Sequence, residues 1–193
     1  MFKIEKNIIE VLKNGGVGVL PTDTLYGLVG SALNEKTVER IYDIKKRDKS
    51  KKMIILVARR KDLKLFKIRL DGRTKKALKK FWPNPISVVL SLSQDEVFNK
   101  GLTYLHRNSD TLAFRVPKPK WLRKLLKKTG PLIAPSANPE GLPPAENIEQ
   151  ARAYFSEAAD FYIDGGELKG QPSTIIKFNE KGLEIRRQGA TKI

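Results

Sequence analysis

Four short stretches of this 193-residue chain gather polar side chains that core packing does not require. In Pro21-Thr22-Asp23-Thr24-Leu25-Tyr26-Gly27-Leu28, two hydroxyls and a carboxylate leave a strand, groups suited to gripping an ammonium and a hydroxyl by directed hydrogen bonds. Taken alone, a Thr-Asp-Thr loop is usually an Asx-type turn. Lys45-Lys46-Arg47, followed by Lys51-Lys52, sets cations beside the entry to an apolar segment, as a phosphate clamp requires. A solvated charge run has the same composition. Ala134-Pro135-Ser136-Ala137-Asn138 offers backbone N–H groups, a hydroxyl and an amide to a nucleotide, although turn chemistry explains it as well. Arg115 sits inside the apolar run Leu112 to Val116, where a cation needs a carboxylate or phosphate partner, or an acid of the core.

Several other chemistries are excluded. Zero Cys removes disulfides, thiolate zinc sites and a thiol nucleophile, and one His removes a two-His metal motif. No Gly-x-x-x-x-Gly-Lys-Ser/Thr loop, no Gly-x-Gly-x-x-Gly after a strand and no Gly-x-Ser-x-Gly elbow occurs. His106, in Tyr104-Leu105-His106-Arg107-Asn108, shows no obvious Ser or Asp constellation and is expected on the surface or in a loop, while Trp82 and Trp121 fall on apolar helical faces and are expected in the core.

The elements that must position these loops follow from periodicity. Ile4, Ile8, Val11 and Leu12 predict an opening amphipathic helix that stops at Gly15-Gly16; Val17 to Leu20 predicts a strand ending at Pro21, with a loop after it. Val38, Ile41, Tyr42 and Lys45 predict a helix running toward Arg47, and Met53 to Val57 a buried strand. Further helices are expected around Ala77–Phe81, Trp121–Leu126 and Ile148–Phe155. Strands are expected at Ile86–Leu92, Leu112–Val116, Leu132–Ala134, Phe161–Ile163, Ser173–Phe178 and Leu183–Arg186. The last two read as an antiparallel hairpin around Asn179-Glu180-Lys181-Gly182. Interleaved strands and helices imply an α/β fold with a mixed sheet, in a single domain over residues 1–193.

With 38 Lys plus Arg against 21 Asp plus Glu, the formal charge is +17, and it is unevenly placed. Lys45 to Lys80 holds 17 basic and 3 acidic residues, Arg115 to Lys128 7 basic and none acidic, so the rest of the chain is slightly acidic. Contact with an anionic partner is expected. For most of Arg59 to Lys80 a solvated lysine face is the simpler expectation. Charges within the first fifteen residues fit neither a signal-peptide core nor a membrane span, so a cytoplasmic protein with no membrane partner is expected.

In order, the motifs Pro-Thr-Asp-Thr-Leu-Tyr-Gly-Leu, Lys-x-Arg before an Ile-rich strand, Phe-Trp-Pro-Asn-Pro-Ile, Leu-Ala-Phe-Arg-Val, Pro-Ser-Ala-Asn, Pro-Ser-Thr-Ile and Arg-Gln-Gly span about Gly15 to Ala190. The series resembles the YrdC/TsaC family of threonylcarbamoyl-AMP synthases. That resemblance implies a YrdC-like twisted mixed sheet with flanking helices around a positively charged concavity. It also implies condensation of L-threonine, bicarbonate and ATP into threonylcarbamoyl-adenylate and pyrophosphate, for a downstream tRNA threonylcarbamoyltransferase complex. Mg²⁺ would ride on the ATP phosphates, with no protein metal site.

By motif, Lys45, Arg47 and Lys51 resemble the cations that hold the triphosphate, with Lys45 and Arg47 in catalytic positions, and Arg187 resembles the arginine that closes the nucleotide site. Thr111, Ala134, Ser136, Asn138 and Pro144 match segments around ATP. Thr24, Arg115 and Ser173 match the threonine pocket, Arg115 as carboxylate anchor, with Thr22 and Tyr26 as further candidates. The chain departs from the commoner family pattern at Asp48, where Pro often follows the Arg, at Lys51-Lys52 in place of Asn-Pro, at Leu56, where some members carry His, and at Gln188, where Pro is frequent. A non-catalytic RNA-binding module of the same fold, contacting tRNA or double-stranded RNA through its basic segments, is the principal alternative. A hydrogenase-maturation carbamoyltransferase is disfavoured by the missing zinc-finger cysteines.

Overall fold

The computed structural model describes residues 5–93, 100–179 and 182–193. Its opening helix α1, Lys6–Lys13, buries Ile9 and Leu12, and ends where Gly15 takes a φ of +87°, a left-handed conformation that glycine adopts at no steric cost. Ile4 of its predicted apolar face lies outside the described residues. β1, Val17–Pro21, then pairs antiparallel with β2, Tyr26–Ser31, from Val17 opposite Gly30 to Pro21 opposite Tyr26. The expected loop after Pro21 is therefore only residues 22–25. Five consecutive residues of β2 are buried, and a strand covered on both faces shows no polar–apolar alternation to read.

Helix α2, Glu35–Ile44, starts at Asn34, whose Oδ1 accepts the Thr37 N–H at 3.1 Å, and buries Val38, Ile41 and Tyr42. There follow β3 (Ile54–Leu56), a 3₁₀ segment (Arg60–Phe66), α3 (Gly72–Phe81), β4 (Ile86–Ser91), α4 (Thr103–His106) and β5 (Thr111–Arg115). The chain continues through α5 (Lys120–Thr129), β6 (Leu132–Ile133), α6 (Ile148–Phe155), β7 (Phe161–Tyr162), β8 (Thr174–Asn179) and β9 (Gly182–Arg187). β8 and β9 form the predicted antiparallel hairpin, of which Glu180 and Lys181 lie outside the described residues.

One mixed sheet results, in the order β7-β1-β2-β6-β3-β5-β4-β8-β9. Its parallel pairs are β1/β7, β3/β5 and β4/β8. Because successive strand residues face opposite sides, the sheet supports two apolar layers. Val19, Leu28, Ile55, Phe114 and Ile176 pack with Ile41 and Tyr42 of α2, Phe66 and Leu78. Leu20, Val29, Leu56 and Leu132 pack with Leu12 of α1 and Leu122, Leu125 and Leu126 of α5. Trp82 is buried in the first layer, and its indole Nε1–H donates to the Ile86 carbonyl at 2.7 Å. His106 departs from its expected surface position: it is 0% exposed, with neither ring nitrogen hydrogen-bonded, and burial pushes its pKa down. No helix among the described residues is long and apolar enough to cross a membrane.

Candidate functional site

A cavity of about 420 Å³ opens where the loop 22–25, the segment after α2, the C-terminal end of β5, the turn after β6 and the β8–β9 ends converge. Arg47, Arg115 and Arg187 all line it, from positions 68 and 72 residues apart. So do Thr22, Thr24, Tyr26, Ala134, Ser136, Pro144 and Ser173, with Leu25, Met53, Ile54 and Ile175 as apolar wall.

Loop 22–25 is held by its own hydroxyls. Thr22 Oγ1 accepts the N–H groups of Thr24 and Leu25 at 3.1 and 3.3 Å and donates to the Leu25 carbonyl at 2.7 Å. Gly170 closes against this loop so tightly that a Cβ there would stand 2.3 Å from the Thr24 carbonyl oxygen. Arg115, the last residue of β5, reaches Thr24 Oγ1 and Thr22 Oγ1 at 3.4 and 3.5 Å and Asp23 Oδ1 at 3.2 Å. Arg115 and Asp23 side chains are each 4% exposed, and so Arg115 has an acid of loop 22–25 as a partner. The pairing is incomplete, because Arg115 Nε and Asp23 Oδ1 both lack an aligned hydrogen bond. Burial lowers the Arg115 pKa, with Asp23 opposing.

Arg187 donates from Nε and Nη2 to the Ser173 carbonyl at 3.3 and 2.9 Å. Its pKa is lowered by desolvation and by the field of Arg115, so the two guanidiniums repel across the cavity. Ser173 is itself seated by a 2.8 Å hydrogen bond between its hydroxyl and that of Ser87, both buried.

The segment between α2 and β3 carries the other cations. Arg47 donates to the Lys51 and Lys52 carbonyls at 3.0 and 3.3 Å. Lys45 does not line the cavity; its Nζ is buried and donates to the carbonyls of Ser136, at 2.6 Å, and Asn138. Burial first, and then Arg47, bring the Lys45 pKa down to about 7, with Glu140 opposing. Asn138 also stays behind the wall, shaping the turn by accepting from Ser136 Oγ at 2.6 Å and donating to the Pro139 and Leu142 carbonyls.

Lys51 is exposed and ion-paired to Glu140, whose other carboxylate oxygen accepts the Asp48 N–H at 2.6 Å. Lys52, by contrast, lines the cavity and donates to Ser109 Oγ and Thr111 Oγ1, each at 2.7 Å. Thr111 is buried and meets the site through Lys52. Lys52, Glu140 and Ser87 were not distinguished by sequence. Nothing local separates Lys51 from Lys52, and the partners of Glu140 and Ser87 lie 86 to 92 residues away.

A second concavity, of about 910 Å³, lies over the 3₁₀ segment and α3. Eight cations line it, from Arg59 to Lys79, above an apolar floor that includes Leu63 and Ile68. Among its described lining residues it has no carboxylate.

The family model Sua5_yciO_yrdC, described as telomere recombination, matches residues 10–189. A threonylcarbamoyl-AMP synthase of Pyrococcus abyssi is 32% identical over 182 residues, covering 92% of this chain and 52% of the relative. A putative threonylcarbamoyl-AMP synthase of Methanocaldococcus jannaschii is 30% identical, covering 97% of this chain and 88% of that protein. The crystal structure of P. abyssi Sua5 complexed with L-threonine superposes with a TM-score of 0.84 at 30% identity, over 97% of this chain and 56% of that one. The chain thus spans about half the length of the Pyrococcus protein. With a family match running from α1 to just past the end of β9, and a nine-stranded sheet that superposes on that of Sua5, this chain belongs to the Sua5/YciO/YrdC family.

Proposed function

We propose that the protein joins L-threonine, bicarbonate and ATP into threonylcarbamoyl-adenylate, with release of pyrophosphate. The observation that carries this reading is the convergence of Arg47, Arg115 and Arg187 with the hydroxyls of Thr22, Thr24, Ser136 and Ser173 on one cavity. The P. abyssi Sua5 bound to L-threonine and the relatives named threonylcarbamoyl-AMP synthase supply the substrate class.

In this reaction the threonine ammonium first gives up a proton, and the resulting amine takes up bicarbonate as a carbamate with loss of water. A carbamate oxygen then attacks the α-phosphorus of ATP as the bond to the β,γ-pyrophosphate breaks. Both reactants are anionic, so the site must hold like charges together and stabilise the charge that leaves. Arg115, with Thr24 and Ser173, anchors the amino-acid carboxylate and hydroxyl. Arg47 and Arg187 face the phosphates, while Ala134, Ser136 and Pro144 border the nucleotide. Lys45 acts from beneath, fixing the Ser136–Asn138 turn. Mg²⁺ enters with the nucleotide, because the lining donors are cations and hydroxyls, a poor set for a divalent cation but a good one for phosphate oxygens. The adenylate is then passed to a tRNA threonylcarbamoyltransferase complex. The basic concavity supports a second reading, an RNA-contacting face operating with or without catalysis.

The test is pyrophosphate release with ATP, bicarbonate and threonine. Release that requires threonine is expected. Equal release without threonine, or none at all alongside intact RNA binding, overturns the synthase reading.

A further inference from the structure

Lys51 and Lys52 are neighbours in sequence but meet different partners. Lys51 meets Glu140, so its charge is matched by a carboxylate. Lys52 is part-buried and faces the cavity, and its three hydrogen bonds run only to neutral oxygens: Ser109 Oγ, Thr111 Oγ1 and, at 3.2 Å, the Thr111 carbonyl. No carboxylate among the described residues pairs with it. Burial and the field of Lys177 disfavour its charged form, with Asp110 opposing, so a bound anion would restore what burial removes.

Placement decides which anion. Lys52 grips the first residue of β5, whereas Arg115 is the last. Four residue steps along a strand separate those backbones by about 13 Å, so one cation cannot serve both ends. Arg47 stands at the Lys52 end, donating to the Lys52 carbonyl. When a carbamate oxygen of an amino acid anchored at Arg115 attacks the α-phosphorus in line, the departing β- and γ-phosphates lie on the opposite side of that phosphorus from the amino acid.

We propose that Lys52 binds the β,γ-phosphates of the nucleotide and the departing pyrophosphate, a contact that rests on the synthase reading. The long bond to the Thr111 carbonyl is the one a phosphate oxygen replaces, as a charge-assisted hydrogen bond is the stronger. Where family members carry Pro at this position, the contact has no counterpart.

The test is direct binding of Mg-ATP, AMP and inorganic pyrophosphate by calorimetry to the wild type, Lys52→Met, Lys52→Arg and, as an exposed control, Lys49→Ala. Lys52→Met is expected to weaken Mg-ATP and pyrophosphate roughly tenfold or more and to leave AMP within about twofold, a range worth under 0.5 kcal/mol. Lys52→Arg is expected to recover most of the loss, and Lys49→Ala to match the wild type. Equal weakening of ATP and AMP would mean that Lys52 only props Thr111; no weakening of either would remove it from the site; both outcomes overturn the proposal. Should Lys52→Met fail to unfold cooperatively, Lys52→Gln, which keeps donors for Ser109 and Thr111 without the charge, replaces it. The two readings separate at the wild type: threonine-dependent pyrophosphate release with an ineffective Lys52 variant sinks this inference alone, whereas a wild type that binds no triphosphate sinks both.

Discussion

Replacing Arg115 by Met separates its structural duty from its proposed contact with substrate. The Arg115 and Asp23 side chains are each 4% exposed and 3.2 Å apart, and among the described residues Asp23 retains only the Lys118 N–H, at 3.0 Å, once Arg115 is gone. An unmatched buried carboxylate of this kind costs about 3–5 kcal/mol. In a chain of this length each kcal/mol moves the melting temperature by about 2–4 °C, so Arg115→Met should melt roughly 6–20 °C below the wild type. Asp23→Asn keeps an acceptor for Lys118 and removes the negative charge; combining it with Arg115→Met should recover part of the loss, giving a coupling of about 1 kcal/mol or more for residues in contact. Thermal melts of the four proteins, with and without L-threonine, read both roles. Threonine should raise the melting temperature of the wild type and not that of Arg115→Met. If Arg115→Met melts within two degrees of the wild type, or gains equally from threonine, the buried-pair argument and the anchor role are wrong respectively.

Two further outcomes are expected. Gly170→Ala should press on the Thr24 carbonyl, costing about 1–3 kcal/mol of stability and raising the threonine KM while ATP affinity holds; equal losses for both substrates in steady-state assays would argue against a local effect. Lys45, at a folded pKa of about 7 against 10.5 for a free lysine, binds fewer protons folded than unfolded between those values. Stability should therefore rise as pH climbs through 7 toward 10, by up to ~1.4 kcal/mol per pH unit, and the full cost of the buried charge should be felt below pH 7. Lys45→Met should remove this rise, and parallel urea-denaturation profiles for the two proteins from pH 6 to 9 would contradict it.

Much of the architecture was legible from local pattern. α5 follows from Trp121, Leu122, Leu125 and Leu126 at helical spacing, and the β8–β9 hairpin from two apolar runs around a short polar turn. β2 was not, because burial on both faces erased the alternation. His106 was misplaced because its burial is set by the tertiary fold, which its polar neighbours Arg107 and Asn108 do not announce. In the site, Arg47, Arg115, Arg187, Thr24, Ser136 and Ser173 were named in advance and meet at one cavity. Lys45, Lys51, Thr111 and Asn138 lie around that cavity without lining it. What decides their orientation is tertiary: Glu140 is 89 residues from Lys51 and the Ser136 carbonyl 91 from Lys45.

The cavity draws its walls from residue 22 through to residue 187, the two ends of the fold being brought together only by the sheet. A polypeptide emerging from the ribosome in N-to-C order would display the Thr-Asp-Thr loop and Arg47 long before Ser173 and Arg187 existed to oppose them. Half-made protein would therefore lack a closed cavity, and its walls would be complete only late in translation, when the β8–β9 hairpin docks beside β4.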